Sequence, residues 1–170
     1  MRIGLRGRGT TMRYVAILLL ALFTASGAAR AQNANVQGLQ IISYGIYTAD
    51  VVSTQPNHKE LNNVRLAVST QTVPAQLGVL FGFRYKITGI PAGAPVRVRE
   101  VTFYPPGGAH PPGKDVSAGV QVDLAVPIDV VRGKYYSFDE PWELIPGTWT
   151  FEVWSGDRKL VEQSFTVVAQ

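Results

Sequence analysis

Cysteine is absent from all 170 residues, and histidine occurs only twice, as His58 and His110. The first absence excludes a disulfide framework, a thiolate nucleophile, a cysteine-based zinc site and a lipid-modified cysteine anchor. The second leaves little imidazole for acid–base work. Signature motifs are missing too: there is no G-x-S-x-G elbow, no H-E-x-x-H and no G-x-x-x-x-G-K-[ST]. Few stretches carry the 3.6-residue period of an amphipathic helix, which argues against a helical fold. What the chain has instead is apolar alternation with a period of two, punctuated by 11 prolines and 17 glycines.

The first residues are organised differently from the rest. Arg2, Arg6, Arg8 and Arg13 lead into an apolar run from Val15 to Phe23, and small residues follow, ending Ala29, Arg30, Ala31. This is the three-part pattern of a secretory leader. Ala29 and Ala31 suit the narrow pockets of signal peptidase, so residues 1–31 are expected to be removed before Gln32. The apolar run falls well short of the ~20 residues that span hydrocarbon, so no retained anchor is expected. Met12 is an alternative start, from which the leader is more compact. Five of the sixteen Lys and Arg residues lie in the leader and none of the twelve Asp and Glu residues do. Eleven basic against twelve acidic side chains then remain, a net charge of −1. The basic pI of about 9.5 thus belongs to the precursor, and a nucleic-acid partner loses its electrostatic basis. A periplasmic or secreted product is expected. Taking 31 residues from 170 leaves 139, enough for one domain with its own core and no staples.

Residues 32–38 read as a flexible polar tail, and 39–170 as a single β domain. Leu39 to Val52 is the first apolar run, and Val64, Leu66 and Val68 make the second. The third alternates most clearly, with Val79, Phe81, Phe83, Tyr85 and Ile87 on one face and Gly82, Arg84, Lys86 and Thr88 on the other. In the fourth, Val96 and Val98 share one parity while Val101 and Phe103 share the other, so a β-bulge near Glu100 is expected to turn all four inward. Val120, Val122, Leu124 and Val126 form a fifth strand, and Tyr136 with Phe138 a short sixth. Pro146 and Gly147 suit the centre of a type II turn, after which Trp149, Phe151 and Val153 alternate with polar residues up to a reversal at Gly156 and Asp157. Leu160 and Phe165 differ in parity. Either a second bulge intervenes, or Leu160 and Trp154 share an outer apolar patch. About seven or eight strands without intervening helices point to an antiparallel, immunoglobulin-like β-sandwich. Trp149, Phe151, Phe81, Phe83 and Phe165 are the leading core residues.

YGIY at Tyr44 to Tyr47, FGFRYKITGIP from Phe81, the Pro-rich loop at Pro105, FDEPWELIPGTWTFEVW from Phe138 and the closing KLVEQSFTVV together resemble the bacterial domain-of-unknown-function family 3859. The C-terminal portion carries most of the likeness, because Trp142, Glu143, Pro146, Gly147, Trp149 and Phe151 occur together in order. The resemblance implies a small exported or envelope-associated bacterial domain. No chemistry and no functional residue come with it.

The residues themselves offer three sites. His58 and His110 could meet Asp115 or Asp139 around a zinc ion, but no spacing favours this, and solvated loop histidines are the better reading. Asp139, Glu140 and Glu143 form a carboxylate cluster of the kind a glycan-active hydrolase needs, although acidic residues beside Pro141 more often accept backbone N–H bonds in a turn. The third comprises Trp142, Tyr104 and His110, at predicted loops and strand ends, which could contact a protein or a glycan. Trp154 and Tyr135 also fall at such positions, and an edge strand able to accept a partner's strand is a further option. The expected function is therefore a non-enzymatic binding or structural module of the cell envelope, with a hydrolase as the alternative. No cofactor, no metal and no catalytic residue are assigned.

Overall fold

Large apolar side chains at every second position bury one face of an extended segment, and two such faces must stack to exclude water. In a computed structural model that describes residues 34–55 and 58–169, this pattern yields nine strands. They are β1 (Asn35–Gln55), β2 (His58–Val68), β3 (Thr72–Pro74), β4 (Leu80–Ile90), β5 (Pro95–Phe103), β6 (Gly119–Pro127), β7 (Val131–Ser137), β8 (Gly147–Ser155) and β9 (Arg158–Val168). A single 3-10 turn, Pro141–Glu143, precedes β8. The predicted leader lies outside the described residues.

Two sheets result, one ordered β2-β1-β4-β7 and the other β3-β9-β8-β5-β6. Every pairing is antiparallel except that of β3 with β9, which is parallel. The three-residue β3 is the strand that alternation did not reveal, being too short to carry a pattern. Between the sheets lie Phe81, Phe83, Tyr85 and Ile87 from β4, Trp149, Phe151 and Val153 from β8, and Phe165 from β9, all essentially inaccessible. Phe81 is the hub. Its ring centroid is 5.8 Å from that of Trp149 and 5.5 Å from those of Phe151 and Phe165, each near edge-to-face, the favoured arrangement of aromatic quadrupoles.

Two expectations are overturned against this frame, one holds in part, and one open alternative is settled. The polar tail is not a tail throughout: Asn35 and Val36 already pair with Ile90 and Gly89 of β4, since main-chain pairing needs no apolar side chains, and Arg158 donates to the Val36 carbonyl at 2.6 Å. The bulge near Glu100 does not form. β5 stays in continuous register with β6, so strict alternation places Glu100 and Thr102 inside and turns Phe103 outward. The face shared by Val120, Val122, Leu124 and Val126 exists, but only Val126 is fully covered, while Val120 is 43% and Val122 53% exposed. Finally, the parity conflict in the last hairpin resolves as a register shift at Val153/Trp154 that lets Leu160 pack against the core.

Candidate functional site

Of the residues singled out from sequence, Tyr104, Trp142 and His110 lie at three different places: directly after β5, in the 3-10 turn, and further along the loop between β5 and β6. Tyr104 is half-buried, with its ring 4.9 Å from Trp149 and 6.0 Å from Tyr136. It lines an apolar groove of about 400 Å³ with Phe103, Pro105, Pro106 and Val116, and neither Trp142 nor His110 belongs to that groove. Trp142 sits half-buried in the 3-10 turn, and His110 is exposed in the loop just after the bridge between Ala109 and Ser117. His58 opens β2 rather than lying in a loop. Among the described residues no three His, Cys, Asp or Glu gather as metal ligands. Trp154, on the outer face of β8, stands between two cations, with the Arg99 guanidinium 5.3 Å and the Lys159 ammonium 5.5 Å from its ring centre.

The carboxylate cluster is structural in its geometry. Glu143 is buried, and its Oε2 accepts the backbone N–H groups of Asp139 at 2.6 Å and Glu140 at 2.9 Å, while Oε1 accepts the Tyr136 hydroxyl at 2.8 Å. Because Tyr136 gives its one proton to Glu143, the Tyr104 hydroxyl, 3.4 Å away, must donate to Tyr136. Burial, together with the neighbouring phenol and carboxylate, raises the Tyr136 pKa far above its ordinary value. The chain Tyr104 to Tyr136 to Glu143 thus ties the end of β7 to the turn before β8. Asp139 accepts from the Ser137 hydroxyl at 2.7 Å.

A polar cluster that the expected bulge had hidden lies between β4, β5 and β7. Tyr85 donates to Glu100 Oε1 at 2.6 Å, and Arg132 Nε stands 3.2 Å from the same oxygen. Lys134 donates to Thr102 Oγ1 at 3.0 Å and lies 5.4 Å from the centre of the Phe151 ring. Desolvation pushes the Lys134 ammonium down to about 8, partly offset by Glu100 and reinforced by Arg132. The Arg132 Nε is buried without a well-directed hydrogen bond, although its side chain as a whole is one-third exposed. The signal was present in the sequence: Glu100 and Thr102 continue the parity of Val96 and Val98, and Arg132 and Lys134 that of Tyr136.

This cluster opens to the surface along β7, the last strand of its sheet. A groove of about 600 Å³ runs over that edge, lined by Glu100, Arg132 and Lys134 on the inner side, by Arg84 and Tyr135 on the outer side, and by Leu61 to Val64 of β2. Two strands separate β2 from β7 in sheet order, so the far part of the β1–β2 ribbon must bend across the outer face to reach it. Tyr47 and Tyr135 meet there with ring centres 4.8 Å apart. On the other sheet, Val122 stands beside Glu100 and Val120 beside Thr102. The inner face of β6 therefore borders the cluster without being roofed.

Known proteins locate the chain by fold rather than by chemistry. No curated protein matches it. An immunoglobulin-like protein from Pseudomonas aeruginosa, known from a crystal structure, is 28% identical, with a TM-score of 0.57 over 79% of this chain and 96% of that one. That likeness agrees with the two stacked sheets described above. Residues 35–167 match the model of the family described as Domain of unknown function (DUF3859), and the chain belongs to that family.

Proposed function

We propose that this protein is an exported, non-enzymatic binding module of the bacterial cell envelope, whose partner is a protein rather than a glycan. The observation that carries the reading is the mismatch of the sheets, four strands against five, which leaves inward-facing Val120 and Val122 exposed beside the polar cluster of β5 and β7. Apolar side chains of inner parity that remain wet mark a surface meant to be covered. A glycan site would need open rings for stacking, whereas Tyr104 is packed on Trp149 and Trp154 lies between two cations. The hydrolase alternative is weaker because the best carboxylate, Glu143, spends both oxygens on holding a turn. The leader pattern supports export.

A photoreactive amino acid placed at Val122 in intact cells tests the reading, with Thr148 on the outer face of β8 as control. One recurrent protein adduct from Val122 and none from Thr148 is expected. Adducts at neither position, or turnover of glycan substrates lost in both Asp139→Asn and Glu143→Gln, would overturn it. Recovery of the protein from the periplasm or medium with Gln32 as its first residue is the expected sign of export.

A further inference from the structure

We infer that the edge of β7, which pairs with no further strand among the described residues, accepts an extended strand from a partner protein, which completes the four-stranded sheet, carries apolar side chains over Val120 and Val122, and presents one carboxylate to Arg132. The inference rests on the binding-module reading and specifies its site and partner chemistry.

The geometry follows from strand spacing. β7 lies over β5, as the contacts of Lys134 with Thr102 and of Arg132 with Glu100 establish. Neighbouring strands in a sheet are about 4.8 Å apart, so a strand added outside β7 would lie over β6, which is displaced from β5 by the same step. Its inward side chains would face Val120 and Val122, the two exposed positions of inner parity on β6. The sandwich would then have five strands over five.

The three other edges are less suited. A strand added outside β6 would carry the five-stranded sheet further past β7 and leave Val120 and Val122 uncovered. β3 is three residues long and ends in Pro74, which has no N–H to offer. β2 pairs with β1 through three register shifts, and such bulges twist an edge away from further pairing. β7 has none in its pairing with β4.

Charge selects the partner. Inside the groove, Arg132 and Lys134 face one carboxylate, Glu100, and Arg84 adds a third cation on the outer lip. Glu100 is already held by Tyr85 and Arg132. The Arg132 guanidinium keeps donors that Glu100 does not use, and a planar fork of donors is best satisfied by a second carboxylate. An alternating segment with one Asp or Glu fits, whereas a Lys- or Arg-bearing segment is repelled.

Selection of a phage-displayed random nonapeptide library on the mature protein, followed by NMR amide exchange of the complex, tests this. Enriched peptides should alternate apolar residues and contain an acidic residue. They should slow exchange of the β7 amides not bonded to β4, and bind about tenfold or more weakly to Val122→Lys, but not to Thr148→Lys, because an ammonium group facing the incoming strand would be stripped of water beneath its apolar side chains and would crowd them. Far-UV circular dichroism and thermal melts of both variants establish that they fold. Peptides indifferent to Val122→Lys, or protection confined to strands other than β7, would overturn strand docking while leaving a binding module in place. A library that yields no binder, or sedimentation showing a dimer broken by Val122→Lys, would also overturn it, the latter in favour of a second copy of this chain. Loss of the in-cell adduct at Val122 would remove the binding-module reading itself.

Discussion

Lys134 holds an ammonium group in the sandwich interior, 7% exposed, with one hydroxyl partner. Its pKa is pushed down to about 8 by burial, so the folded state binds this proton less tightly than the unfolded chain. The stability penalty is full below pH 8 and is relieved as pH rises, by no more than about 1.4 kcal/mol per pH unit. The charged groups acting on it are Glu100 from β5 and Arg132 from its own strand, and Tyr85 of β4 holds Glu100 in place. The tyrosine shifts run upward and take stability away only once unfolded tyrosines ionise, near pH 10. Urea unfolding should therefore show stability climbing from pH 8 towards 10, and Lys134→Met should flatten the rise. A wild-type curve that falls across this window would contradict the assignment. Glu143 behaves differently. Glu143→Gln places an NH2 group against at least one of three donors, at a cost of roughly 1–3 kcal/mol, and calorimetry should find melting lowered by several degrees. Residues such as Phe81 and Trp149 were legible from the sequence because parity alone fixes where they point. Glu100 and Thr102 were not, since an irregular strand that buries valine looks more favourable than a regular one that buries a carboxylate. Hydroxyl and guanidinium groups brought from β4 and β7 reverse that preference, and they are distant in sequence.

At the scale of elements, β1 depends on two facing glycines. Gly45 and Gly82 are paired across β1 and β4, and each has positive φ, +137° and +149° respectively. A Cβ on Gly82 would lie 2.1 Å from the Lys134 carbonyl oxygen, where only the backbone of β7 could give way. Gly82→Ala should therefore loosen the β4–β7 pairing that aims Arg132 and Lys134 inward, destabilising the domain by about 2 kcal/mol or more in denaturant titration. Wild-type stability in this variant would mean that β7 is not held as described. The terminal hairpin was the most readable element, because Pro146, Gly147 and Gly156 mark its ends and aromatic residues its inner face. β6 was half readable. Its parity is visible in the sequence, but whether an inward face is covered depends on how many strands the opposite sheet contains, a property of the whole arrangement.

For the molecule as a whole, order should decline from the centre of the sandwich to the unroofed side. With no disulfide to cap local opening, each strand is held only by its ladder and by the apolar surface it buries. β4 and β8 are paired on both sides and supply Phe81, Phe83, Trp149 and Phe151 to the interlocked core. The first half of β6 pairs on one side only and leaves Val120 and Val122 wet. Native-state hydrogen exchange should thus find the slowest amides in β4 and β8, opening only when the domain unfolds, and their rates should rise in Glu143→Gln in proportion to its lost stability. Amides from Gly119 to Leu124 should exchange faster through a local opening of β6, with rates that barely respond to the same substitution. If β6 amides were as slow as those of β8, the inner face of β6 would already be covered in the isolated protein, and the vacancy opposite it would not be available to a partner.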